Sequence, residues 1–206
     1  MEIRINTDEV RNIGSQLRNI SNECEEMQSG LGKIKTELDA CWDGAASSGA
    51  IDTIERVEKG FRELVSGFGY VSSEVINIAE AFEAVDHGEG VATARIPIAD
   101  FKPNRALIIL GPFFKMAKTI RIEPDAVRKC AMEIEDIGNR LEQSVTAISN
   151  CSEHLRAVWV GASVDKTVEG LEELGSGLKS LADVILEFCN QVRVMADRYE
   201  EVDSSF

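Results

Sequence analysis

No apolar run in the 206 residues approaches the ~20 residues needed for a membrane span. The greasiest stretch, Leu107-Ile108-Ile109-Leu110, is short and is closed by Gly111-Pro112. The opening residues Met1-Glu2-Ile3-Arg4 lack the basic-then-apolar build of a cleavable signal. The expectation is therefore either retention in the cytosol or exit by a route that needs no such peptide. A basic stripe is also missing. The net charge is −14, and acidic side chains outnumber basic ones 17 to 8 in residues 1–86 and 17 to 9 in residues 120–206. Only the segment 87–119 is basic, with 5 cationic against 2 anionic side chains. Nucleic acid and anionic membrane are both disfavoured as partners, since nothing is arranged to neutralise phosphates.

Catalytic equipment is equally scarce. The two histidines, His87 and His154, have no second histidine nearby in sequence. Carboxylates recur at the spacing of a solvated helix face, and Gly88-Glu89-Gly90 lacks the strand–turn–helix frame of a phosphate loop. Nothing assembles nucleophile, base and orienter, so neither an enzyme nor a cofactor site is expected. The five cysteines are odd in number and contain no CxxC or metal-like spacing.

What is present is a repeat. Trp42-Asp43-Gly44 returns as Trp159-Val160-Gly161, and from Ile3/Ile120 to Asp86/Asp203 the two halves align without a gap at an offset of 117 residues. Arg4/Arg121, Asp8/Asp125, Val10/Val127, Arg11/Arg128, Gly60/Gly177, Leu64/Leu181 and Ala79/Ala196 match in register. Roughly a quarter of the aligned positions are identical, which chance does not supply at one fixed shift. Cys24, Cys41, Cys130 and Cys151 align with Leu141, Val158, Ile13 and Ile34. A position that takes Cys in one copy and an aliphatic in the other is a core position for a small hydrophobe.

Each half carries two apolar stripes. The first runs Val10, Ile13, Leu17, Ile20, Cys24, Met27, Leu31, Ile34, Leu38, Cys41, with alternating steps of 3 and 4. The second runs from Ile51 through Phe61, Phe68 and Val75 to Phe82 and Val85. The other half repeats both, from Val127 to Val158 and from Val168 to Val202, with Ser144 at the Met27 position as the one soft spot. That period makes amphipathic helices that demand a nearly parallel or antiparallel neighbour. Asn6 followed by Glu9 is a capping-box pattern, and Pro124 suits a first helical position.

The sequence thus predicts an all-α fold of two helix–turn–helix hairpins closing into an antiparallel four-helix bundle within one chain. Residues 1–86 form the first hairpin, with helices at about 7–41 and 46–86. Residues 87–119 are a connector, and 120–206 the second hairpin, with helices at about 124–158 and 163–203. Each arm is expected to be ~35 residues, or ~50 Å. Gly44 and Gly161 are expected to free the backbone for the reversal. The connector can span ~100 Å at ~3.3 Å per residue. Its Arg95, Lys102, Arg105, Lys115 and Lys118 could lie along the acidic bundle wall. Ile108, Leu110, Phe113 and Phe114 are expected to dock on the bundle or join a partner surface.

A helical hairpin of about a hundred residues with Trp-x-Gly at its turn resembles the WXG family, substrates of type VII (ESX) secretion systems of Gram-positive bacteria and mycobacteria. The resemblance covers both halves, so the chain looks like a tandem fusion of two units that usually pair as separate chains. The family's second mark, Tyr-x-x-x-Asp/Glu, stands as Tyr199-Glu200-Glu201-Val202-Asp203. The first copy has Phe82-Glu83-Ala84-Val85-Asp86, a degenerate version with Phe for Tyr. Tyr70-Val71-Ser72-Ser73-Glu74 also fits, but lies mid-helix and aligns with Glu187, and is set aside as coincidence.

The resemblance implies a turn motif at Trp42, Gly44, Trp159 and Gly161 and a secretion signal at Tyr199 and Asp203. It implies secretion through a type VII system, the secretion ATPase as a partner, and escort of a larger effector or toxin with a helical N-terminus. A homodimer is a further expectation. In an antiparallel pairing Trp42 would stand beside Tyr199, and Trp159 beside Phe82. The alternatives are a cytosolic helical adaptor or chaperone, or a dimerising scaffold that is not exported. Trp42, Trp159 and Tyr199 could equally serve packing alone.

Overall fold

A computed structural model describes residues 4–86 and 121–203; the connector residues named above, with His87, lie outside the described residues. In chain order the elements are β1 (Arg4–Ile5), α1 (Thr7–Cys41), β2 (Trp42–Asp43), α2 (Ala45–Asp86), β3 (Arg121–Ile122), α3 (Pro124–Val158), β4 (Trp159–Val160) and α4 (Ala162–Asp203). The fold is the all-α arrangement of two helical hairpins in a four-helix bundle. Asn6 caps α1 by accepting the Glu9 backbone N–H at 3.3 Å, which satisfies one of the donors a helix start leaves open. Pro124 opens α3, where its missing N–H costs nothing.

The arms are unequal: α2 and α4 exceed the ~35 residues taken for every arm and lie within one residue of the spans 46–86 and 163–203 given for them. α1 and α3 have 35 residues, but α2 and α4 have 42, or roughly 63 Å against 52 Å at 1.5 Å per residue. No Pro interrupts either long arm, so nothing stops it early.

The stripes are where the core lies. All ten apolar positions of α1 are buried, as are Phe61, Phe68, Leu171, Leu181 and Phe188 on the longer arms. A second set of small residues is buried beside them: Ala50, Ala79, Ser21, Ser72, Ala131, Ala182 and Ala196. These widen each stripe so that one helix can face two neighbours, which a narrow seam cannot do. All five cysteines are buried thiols outside any disulfide. Burial pushes the thiols of Cys41, Cys151 and Cys189 upward, and that of Cys130 to about 12.

The helices divide between two compact units, each containing parts of both hairpins. One holds residues 4–24, 63–86 and 143–178; the other holds residues 25–62, 121–142 and 179–203. Within each, α1 packs on α2 and α3, and α4 packs on α3 and α2. In the first unit, Arg11 meets Glu83 and Ser72 reaches Gly14 across α1 and α2, while His154 faces Glu9 across α3 and α1. In the second, Lys129 meets Glu37 and Arg140 meets Glu26 across α3 and α1.

The contact of α2 with α4 is reciprocal. A Cβ on Gly60 would lie 3.2 Å from Leu181 Cδ1, and one on Gly177 would lie 2.8 Å from Leu64 Cδ2. Gly60 matches Gly177 and Leu64 matches Leu181 in the repeat, so each hairpin offers the other the same glycine and the same leucine. This is the self-complementary contact of a twofold interface, made inside one chain.

Candidate functional site

Short strands join each turn to the other hairpin. Trp42 pairs with Ile122 and Asp43 with Arg121, antiparallel, and the Glu123 N–H donates to the Cys41 carbonyl at 2.9 Å. At the matching positions Ile5 pairs with Trp159 and Arg4 with Val160, and the Asn6 N–H donates to the Val158 carbonyl at 2.9 Å. Each clasp takes up backbone groups that a broken helix end leaves unsatisfied. Both indoles are buried at 1% exposure. Trp159 Nε1 has no hydrogen-bond acceptor among the described residues, so that ring is held by packing.

The two turns differ in backbone. Gly44 adopts φ 119°, the left-handed region where side chains are disfavoured, and among the described residues it is the one glycine to do so. Gly161 therefore does not make the same use of its missing side chain. α2 begins with the Ser48 N–H reaching the Gly44 carbonyl, four residues back. α4 begins more tightly, with the Val164 N–H reaching Gly161, three residues back. The residue between Trp and Gly is the exposed Asp43 in one turn and the 54% exposed Val160 in the other.

The last turns of α4 are anchored by an arginine. Arg128 donates from Nη2 to Asp197 Oδ1 at 2.9 Å, from Nη1 to Asp125 Oδ1 at 3.3 Å, and also from Nη2 to Glu200. The hydrogen bonds to Glu200 and then Asp197 raise the guanidinium further above its ordinary range. Glu200 is the second residue of Tyr199-x-x-x-Asp203, so the clamp holds that motif in helical form, with Tyr199 and Asp203 one turn apart on α4. The Tyr199 ring is half-buried.

The first hairpin repeats the clamp. Arg11 meets Glu83 at 2.6 Å and Asp8 at 3.3 Å, and the hydrogen bond it donates to Glu83 raises its pKa. Phe82, half-buried, stands where the second hairpin has Tyr199, and Asp86 ends α2.

One compact unit thus contains Trp42-Asp43-Gly44 together with Tyr199 to Asp203, and the other contains Trp159-Val160-Gly161 with Phe82 to Asp86. The strand clasps and the arginine clamps were not anticipated from the sequence. The clamps did leave a trace, since Arg11/Arg128 and Asp8/Asp125 recur at the repeat offset.

The second unit also has a shallow groove of about 430 Å³ between α1 and α3, lined by Gly30, Ile34, Met132 and Ile137 under charges of both signs. Among the described residues no three His, Cys, Asp or Glu side chains converge as a metal site, and no helix is long and apolar enough to cross a membrane. The family model described as "Proteins of 100 residues with WXG" matches twice, at residues 2–87 and 119–204. No match was found among curated proteins or among solved structures.

Proposed function

Since the chain belongs to the WXG100 family, small helical proteins associated with type VII secretion, we propose that it is a type VII export substrate or export-targeting partner. In this proposal it presents a two-part signal in cis. Trp42 and Gly44 come from the first hairpin and Tyr199 and Asp203 from the second, so one polypeptide supplies what two chains otherwise contribute. The observation that carries the proposal is the reciprocal clasp of each turn by the other hairpin's N-terminal strand, with Trp42 and Tyr199 sharing one compact unit. The Arg128 clamp supports it, because a recognition motif held as a helix costs a receptor less ordering entropy. The first-copy motif, with Phe82 for Tyr, is the weakened counterpart.

The partners are the secretion ATPase and a larger effector with a helical N-terminus, and the role is non-catalytic. Tyr199→Ala should abolish appearance of the protein in culture supernatant by at least tenfold while leaving its melting temperature within a few degrees. Phe82→Ala should leave export largely intact. ATPase-independent supernatant levels, or export untouched by Tyr199→Ala, would favour the cytosolic adaptor instead. Pull-down of a larger helical partner separates escort from solo export.

A further inference from the structure

We propose that the groove between α1 and α3 is where two molecules of this chain meet, face to face about a twofold axis. The inference does not rest on the export reading. Among the described residues Met132 is the most exposed large hydrophobic, at 57%, and it lines this groove. The ion pairs Lys129–Glu37 at 3.3 Å and Arg140–Glu26 at 3.5 Å set α1 and α3 antiparallel. That register puts Lys33 level with Glu133, and Gly30 level with Asp136. A Cβ on Gly30 would lie 3.5 Å from Ile137 Cδ1, which agrees with it. One stripe of α1 therefore reads Glu26, Gly30, Lys33, Glu37, and the facing stripe of α3 reads Lys129, Met132, Asp136, Arg140. Lys33 and Asp136 are both exposed and flank the apolar floor from opposite sides.

These charges complement a second molecule. An axis through the groove floor, midway between Lys33 and Asp136, lays α3 of one molecule over α1 of the other. Lys33 then faces the second molecule's Asp136, Arg140 faces its Glu37, and Lys129 faces its Glu26. Met132 enters the notch left by its Gly30, where a thioether adapts readily to the space. Each pairing is made twice by the symmetry, and all three set opposite signs against each other. At the matching positions of the other unit stand Asn150 for Lys33, Asn19 for Asp136, Ser15 for Met132 and Ala147 for Gly30. That face keeps neither the charges, nor the methionine, nor the notch. With one adhesive face, association closes at a dimer; two would run on as a filament. The groove extends from Lys129 to Arg140, about 16 Å of α3. Such a face falls short of the ~800 Å² per partner of a standard interface, so the dimer is weak, with a Kd on the order of 10–100 µM. Each molecule carries a net charge of −14, a repulsion that about 0.15 M salt screens beyond ~8 Å.

The test is sedimentation equilibrium of the full chain at physiological salt, over concentrations that bracket the expected Kd. The expected result is a monomer passing to a dimer, with no larger species. Lys33→Glu and Asp136→Lys should each weaken the dimer by about tenfold or more, and the two together should restore it, since the exchanged charges again oppose each other. Met132→Ser, which installs the other unit's residue, should weaken it as well. All variants should melt with wild type at dilutions where each is a monomer. A carbodiimide applied to an equal mixture of unlabelled and isotope-labelled protein should yield a mixed-isotope peptide joining Lys33 to Asp136. A monomer at every concentration overturns the proposal, as do assemblies that keep growing with concentration. So does a dimer indifferent to both single reversals, which would place the contact elsewhere, as an exchange of hairpins does.

Discussion

Arg11 with Asp8 and Glu83, and Arg128 with Asp125, Asp197 and Glu200, are the same device built twice. Each pins the last turns of a hairpin's long arm to the first turns of its short arm. What the pinned turns carry differs, with Phe82 half-buried in one copy and Tyr199 in the other. A similar exchange occurs deeper in. Ser72 donates to the Gly14 carbonyl at 2.8 Å, and at the matching place Cys189 donates to the Ala131 carbonyl at 3.1 Å. The lesson is that helix spacing is under tight steric control, so a hydroxyl and a thiol are interchangeable wherever one small donor fits. Side chains facing water, by contrast, are free to diverge. That freedom is where a fused pair can assign its halves different tasks.

The comparison can be broken at several points. The largest effect on stability should come from the indoles. Trp42→Ala and Trp159→Ala each empty a fully buried site, and each should cost about 3–5 kcal/mol in urea unfolding. A loss below about 1 kcal/mol for either would mean that its turn does not depend on the ring for packing. Next come the paired glycines. Gly177→Ala forces a Cβ to 2.8 Å from Leu64, and Gly60→Ala only to 3.2 Å from Leu181. The first should destabilise by about 1–2 kcal/mol through crowding. The second should be close to neutral, because alanine's ~1 kcal/mol helix advantage offsets the tighter fit. The reverse order would show that these two distances do not govern the cost of the added methyl.

The smallest effect is the pH dependence of one ion pair, Arg193 with Glu135, whose residues the first hairpin does not repeat. The Arg193 hydrogen bond holds the Glu135 carboxyl below its ordinary value of 4.5. A carboxyl depressed in the folded state contributes stability above its unfolded pKa and loses it as pH falls through the folded value. Wild type should therefore lead Arg193→Met at neutral pH by a small margin that closes below about pH 4.5, since both side chains are a third or more exposed and water screens the pair. Thermal melts across pH 3–7 would read this, and a margin that widens in acid would contradict it. The first hairpin has Ile76 and Arg18 at these places and should show no such term.

The helices were legible because each stripe repeats over about ten steps, and a period that long has one structural explanation. The pairing of hairpins followed from the need to cover those stripes. The strands were not legible, since two residues carry no period at all. Their partners are set by where the helices bring the chain, not by their own side chains. The length of α2 and α4 was legible in heptad positions that reach Val85 and Val202, and only the round figure of ~35 residues per arm, taken from the shorter helices, fell short. Of the candidate site, Trp42, Trp159 and Tyr199 could be read as motifs. Arg128's role could not, because its partners Asp197 and Glu200 lie 69 and 72 residues away, and any acidic helix face offers many such carboxylates.

Both clasps, Trp42–Asp43 on Arg121–Ile122 and Arg4–Ile5 on Trp159–Val160, are made between segments of one polypeptide. Subunits that meet by diffusion come apart on dilution and must be synthesised in matched amounts. Here translation itself sets the ratio at one to one, and the local concentration of each hairpin around its mate does not fall however little protein a cell produces.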